Sequence, residues 1–117
     1  MSNIKKFNEF NSNKKFENLQ PVNGISFKEY IKSKGISSGV TMLDVNNCGL
    51  TDLIGIDEFV NLTELYCDNN NLTSLPNLDN LTDLIGLDCD NNKLPYDTKD
   101  LSVSEIKSLI ESETSRN

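Results

Sequence analysis

Apolar positions along the chain fall into three segments that hold one phase. LDVNNCGLTDL from Leu43, LYCDNNNLTSL from Leu65 and LDCDNNKL from Leu87 begin 22 residues apart. The positions between them keep step, since Leu53/Leu75, Ile56/Leu78, Phe59/Leu81 and Leu62/Leu84 share the same spacing. Within a segment, Leu65 and Cys67 alternate with Glu64, Tyr66 and Asp68, the period of a short strand with one buried face. Asn70 and Asn92 stand where those strands must turn. A buried amide there bonds backbone groups that the turn leaves without partners, which a leucine cannot do. One such segment cannot bury its own apolar face, so neighbours must stack. Each inward leucine then contributes about 1.5–3 kcal/mol. TDLIGID from Thr51 and TDLIGLD from Thr82 are more alike than any other pair, but their offset of 31 breaks every other column. Their likeness is read as coincidence.

Both flanks read as helices. Ser26 followed by Glu29 fits a capping box, with Ile25 and Tyr30 as the accompanying staple. The helix is expected from Phe27 to Lys34, stopping at Gly35. Ser102 and Glu105 repeat the device, with Leu101 and Ile106 as the staple. Val103, Ile106, Leu109 and Ile110 form one apolar stripe, expected to end near Ser112. Residues 1–20 hold Ile4, Phe7, Phe10, Phe16 and Leu19 among asparagines that spoil a helical period, and their state is left open.

The three segments read L-x-(V/C)-x-x-(C/N)-x-L and resemble the leucine-rich repeat family in its short bacterial-type form, over about residues 40–96. Cys48 replaces the usual Asn, a change that the family pattern allows. The resemblance implies an α/β fold: a short leucine-rich repeat solenoid with about three parallel strands, flanked by N- and C-terminal capping helices. The layout expected is an N-terminal arm over 1–24, a cap helix over 25–39, repeats over 40–100, and a C-terminal cap helix and tail over 101–117. In such a fold the outward strand residues form columns on a concave face. Here they are Met42/Glu64/Gly86, Asp44/Tyr66/Asp88, Asn46/Asp68/Asp90 and Asn47/Asn69/Asn91. Terminal caps are what a stacked array needs at its ends.

Composition narrows the function. The 117 residues include no His and three Cys, so Ser-His-Asp and Cys-His pairs and His-ligated metals are excluded. The net charge of −7 hides a split: residues 1–35 carry +4, residues 36–99 carry −9 and the remainder −2. Much of the acid falls on the expected concave face, where Asp44, Glu64, Asp68, Asp88 and Asp90 surround Tyr66. Like charges that close repel, so folding is expected to gain nothing from them. A partner with a basic surface would relieve the repulsion, and a central Tyr is a typical anchor. The candidate partner-binding residues are therefore Asp44, Asn46, Glu64, Tyr66, Asp68, Asp88 and Asp90.

Other chemistry is weaker. Asp68 and Asp90 with their Asn neighbours offer oxygen ligands, but calcium-loop spacing is absent, so no metal or cofactor is expected. Cys67 and Cys89 share an inward column and Cys48 lies in another. With no cation near them in the pattern, they read as core packing without a source of thiolate activation. The three NLT sequons read as turn and packing residues. Lys5-Lys6 and Lys14-Lys15 beside Phe7 and Phe16 suggest a docking element and are too few for nucleic-acid binding. No signal-like or membrane-length apolar run occurs, so a cytoplasmic location is expected, a host's cytoplasm included. The expectation is a non-enzymatic protein-binding module, an adaptor or inhibitor. The alternative is an assembly component of a viral or bacterial complex that docks through the arm. Self-association through an exposed strand edge stays open, since three units is close to the minimum for such an array.

Overall fold

The computed structural model describes residues 24–115 of the chain. The phenylalanine- and lysine-bearing arm expected to dock lies outside the described residues, apart from Gly24. Two helices, one 3-10 turn and three parallel strands make a small α/β structure.

Helix α1 spans Phe27–Lys34. Its start is set by Ser26, whose hydroxyl accepts from the Glu29 amide at 3.2 Å. A second acceptor is Asp52, whose Oδ1 takes the Phe27 amide at 3.3 Å from 25 residues away. Glu29 in the first turn and Lys32 and Lys34 in the last complement the helix dipole. Gly35 ends it at φ 65°, a left-handed conformation that lets its amide reach back to the Ile31 and Lys32 carbonyls.

The strands β1 (Met42–Asp44), β2 (Glu64–Tyr66) and β3 (Gly86–Asp88) lie in sequence order. Leu43, Leu65 and Leu87 stand in register, as do Asp44, Tyr66 and Asp88. Residues that share the 22-residue spacing are thus neighbours in space. Pairing continues past the strand ends, with Val45 N to Tyr66 O at 2.8 Å and Cys67 N to Asp88 O at 2.8 Å. On the α1 side, Ile25 forms a parallel bridge with Leu50. The alike heptapeptides do not pair with each other. Gly55, at φ 106°, leads into a 3-10 turn over Ile56–Glu58, whereas Gly86 opens β3.

Leu43, Val45, Leu50, Leu53, Ile56, Phe59, Leu62, Leu65 and Cys67 are buried with Leu72, Leu78 and Leu81 in one core. Phe27 enters that core and meets Phe59 edge-on, with ring centroids 5.6 Å apart. Helix α2 spans Val103–Ser115, about a turn beyond the expected end at Ser112. It opens on a complete capping box: Ser102 N donates to Glu105 Oε1 at 2.8 Å, and Glu105 N donates to Ser102 Oγ at 3.2 Å. Ile106 and Ile110 are its buried residues, and Lys107 Nζ donates to the Leu81 carbonyl at 3.2 Å.

Asparagine side chains link the segments. Asn70 is almost fully buried. Its Oδ1 accepts from the Cys48 and Leu50 amides at 3.0 and 2.9 Å, and its Nδ2 donates to the Val45, Cys67 and Asp68 carbonyls. Asn92 does the same one segment later, accepting from Leu72 N and donating to the Cys67, Cys89 and Asp90 carbonyls. Cys48, at the position that Asn70 and Asn92 hold in the later segments, bonds within its own segment, its thiol donating to the Asn46 carbonyl at 3.2 Å. The Asn47, Asn69 and Asn91 column corrects an expectation. These residues sit at φ 55–58°, so they are the left-handed turns that end the strands rather than flat extensions of the face.

Candidate functional site

The strand register brings four of the candidate residues onto one face. Asp44 from β1, Glu64 and Tyr66 from β2, and Asp88 from β3 alternate with the buried Leu43 and Leu65 and the half-buried Leu87, so their side chains leave the core together. The Tyr66 hydroxyl donates to Glu64 Oε1 at 3.2 Å. That bond, followed by partial burial and the charges of Glu64, Asp44 and Asp88, raises the Tyr66 phenol above its ordinary value. The phenol therefore senses carboxylates from all three strands.

Asn46, Asp68 and Asp90 occupy the next position along, where the ladder runs past the strands. Asn46 is exposed, and Asp68 and Asp90 are half-buried. Asp68 Oδ2 accepts from the Asn69 side chain at 2.9 Å. Asp90 turns to a different neighbour, accepting from the Thr98 hydroxyl at 3.1 Å. Met42, beside Glu64, is an exposed apolar residue on the same face.

The expectation that folding gains nothing from these carboxylates needs correction. Asp44 Oδ1 accepts the Asn46 amide and Asp88 Oδ1 accepts the Asp90 amide, both at 3.1 Å. Each caps the turn that ends its strand, satisfying a backbone donor left over where pairing stops. Asp44 and Asp88 thus have a structural role beside any binding role. Glu64 and Asp68 bond only side chains and are freer to serve a ligand.

Comparison of the chain with family models, with curated proteins and with solved structures finds no match. The functional reading rests on the geometry.

A second constellation was visible in the sequence only as the shared inward column of Cys67 and Cys89. Residues 89–92 and 94–99 line an open cleft of about 570 Å3 past β3, with Cys89, itself buried, behind Asp90, Tyr96, Thr98 and Lys99. Cys67 and Cys89 are both free thiols and are hydrogen-bonding partners. The bond to Cys89, with burial behind it, pushes the Cys67 thiol well up. The same bond pulls Cys89 below its ordinary value, with help from the Thr98 hydroxyl and against its own burial. Cys89 is nonetheless as buried as Cys67. Thr98 is buried and belongs to no column, so no periodicity could have singled it out.

Cys48 has a separate partner. The Tyr30 hydroxyl bonds it, and this bond, followed by burial, raises the phenol to about 12. Among the described residues, no group of three or more His, Cys, Asp or Glu could hold a metal ion. No helix there is long and apolar enough to cross a membrane.

Proposed function

We propose that the chain is a small leucine-rich repeat module, with helices capping its two ends, that binds a partner protein through the acidic strand face around Tyr66. The observation that carries the reading is the convergence of Glu64, Asp44 and Asp88 on the Tyr66 phenol from three different strands. Strands that expose a row of like charges and an aromatic ring offer a rigid platform on which a basic segment would gain contacts and lose little freedom. Asp68 lengthens the acidic row, and Met42 gives it an apolar margin. The partner this chemistry fits presents Lys or Arg beside an apolar or aromatic anchor, and binding needs no catalytic group.

Asp68 and Tyr66 are the variants of choice, because Asp44, Asp88 and Asp90 also hold backbone or loop groups. Proteins retained from the native host by the immobilised chain are compared with those retained by a Tyr66→Ala/Asp68→Lys double variant. The expected result is a partner lost from the double variant and weakened for the wild type as salt rises, with both chains unfolding alike. Equal retention by both chains overturns the reading.

A further inference from the structure

The acidic row holds no counter-charge of its own. Its carboxylates take protons from backbone amides, the Asn69 side chain and the Tyr66 and Thr98 hydroxyls, and among the described residues no lysine pairs with any of them. Cations of the matching kind stand ahead of Gly24. Residues 1–23 carry Lys5, Lys6, Lys14 and Lys15 against Glu9 and Glu17, a side-chain charge of +2, and they spell Lys-Lys-Phe twice, at 5–7 and at 14–16. Lysine beside an aromatic ring is the chemistry that the face around Tyr66 fits. The point where this stretch joins the body is fixed. Gly24 sits at φ 80°, and any side chain on it would meet the Gly49 carbonyl and the Thr51 methyl. Ile25 donates to the Gly49 carbonyl at 2.9 Å and accepts from the Thr51 amide at 3.0 Å, bridging Leu50 on the side of β1 that β2 leaves open. Asp44, where the row begins, is five residues from Gly49, so at most about 18 Å away, and the left-handed turn at Asn47 shortens that path. Tyr66 is one strand spacing further, about 4.8 Å. Phe16 stands eight residues before Gly24 and can reach about 28 Å. The second Lys-Lys-Phe therefore spans the distance, and the first has ample chain.

We propose, on the binding reading of that face, that residues 1–23 of the same chain are its resident occupant, which an outside partner must displace. A Lys-Lys-Phe triplet sets its ammonium groups against the carboxylates of the row and its ring against Tyr66. Charge complementarity favours the contact twice, through the attraction itself and through relief of repulsion between the acids on neighbouring strands. Joined to the body at Gly24, the triplets act on the face at roughly millimolar effective concentration, so contacts that are weak one by one suffice. Exposed charge pairs are screened, so the face is expected to clear as salt rises. A partner presenting the same chemistry then competes with the chain's own lysines, and neutralising those lysines leaves the face open to it.

The test compares NMR spectra of the isotope-labelled full chain with those of a variant carrying Lys5→Gln, Lys6→Gln, Lys14→Gln and Lys15→Gln. The expected differences lie at the amides of Glu64, Tyr66, Asp68 and Asp88 and do not change with chain concentration. Added salt is expected to move the wild-type resonances towards those of the variant. A synthetic peptide of residues 1–23 then probes the cleared face. It is expected to bind the variant at sub-millimolar concentration and the wild type at least about tenfold more weakly, because the wild type's own copy competes. Equal affinity for the two chains overturns the proposal, and so does an absence of binding at millimolar peptide. Differences that grow with chain concentration, which put the contact between copies, overturn it too, as do unchanged resonances on β2 and β3. No partner enters these measurements, so the proposal fails separately from the binding reading, which is decided by the host proteins retained on the Tyr66→Ala/Asp68→Lys variant.

Discussion

The two ends of the sheet are built differently. At the β1 end, Ile25 bridges Leu50, Phe27 is enclosed against Phe59, and Asn70 makes five hydrogen bonds from a buried position. At the β3 end, Leu87 and Asn92 are half-buried, Asn92 makes four bonds, and a cleft of about 570 Å3 opens beside Cys89. The contrast separates two tasks. Dense burial at one end supplies cooperativity, and looser packing at the other leaves a smaller share of the structure to be lost when that end opens.

The contrast is tested most severely at Asn70. Replacing it with Ala strands buried amides and carbonyls that no water reaches, at about 1–3 kcal/mol each. We expect Asn70→Ala to lose most of the cooperative unfolding transition seen by denaturant titration, and Asn92→Ala to retain it with a lower midpoint. Equal losses would break the comparison. The apolar version is smaller. Phe27→Ala is expected to cost about 3–5 kcal/mol and Leu87→Ala less than half of that, because the half-buried leucine leaves a site that water and neighbours can fill. Matched denaturation curves for the two variants measure it.

The smallest effect concerns pH. Tyr30 has its pKa raised from 10.0 to about 12 by its bond to Cys48 and by burial. A raised folded-state pKa means that the unfolded chain releases its proton first. The stability tied to Tyr30 is therefore whole below pH 10 and is lost as pH rises towards 12. Tyr30→Phe is expected to flatten the fall of the unfolding midpoint over that window. An unchanged slope would show that the Tyr30–Cys48 contact does not hold the β1 end.

Which parts of this were legible in the sequence follows from which forces are periodic or local. Leu43, Leu65 and Leu87 announced their register because every segment must bury the same face. Ser26, Gly35, Ser102 and Glu105 announced helix ends because capping acts within a few residues. The far end of α2 was missed, since Glu111 to Ser115 carries neither apolar stripe nor stop signal. Asp52 capping α1 and Thr98 bonding Asp90 are single contacts between stretches with no shared spacing, and composition holds no trace of them. TDLIGID and TDLIGLD show the limit most sharply: nearly the same seven residues end in a 3-10 turn in one place and a strand in the other. What surrounds them decides. In the acidic face, the columns were legible, but the turn-capping work of Asp44 and Asp88 was not, because an aspartate that faces water and one that binds its own backbone look alike in one letter.

The asparagine bonds also give the molecule a direction. Asn70 completes backbone groups that belong to the segment before it, and Asn92 does the same for the segment that starts at Leu65, reaching Cys67 and Leu72. Every layer is thus finished by the layer that follows. The last has no successor of its kind, and the turn over residues 94–99 folds back beside it instead. On the repeat reading proposed above, length is a quantity adjusted from within: a further 22 residues inserted between two layers would find donors and acceptors waiting on both sides, whereas a chain cut after Tyr66 would leave the first layer unfinished.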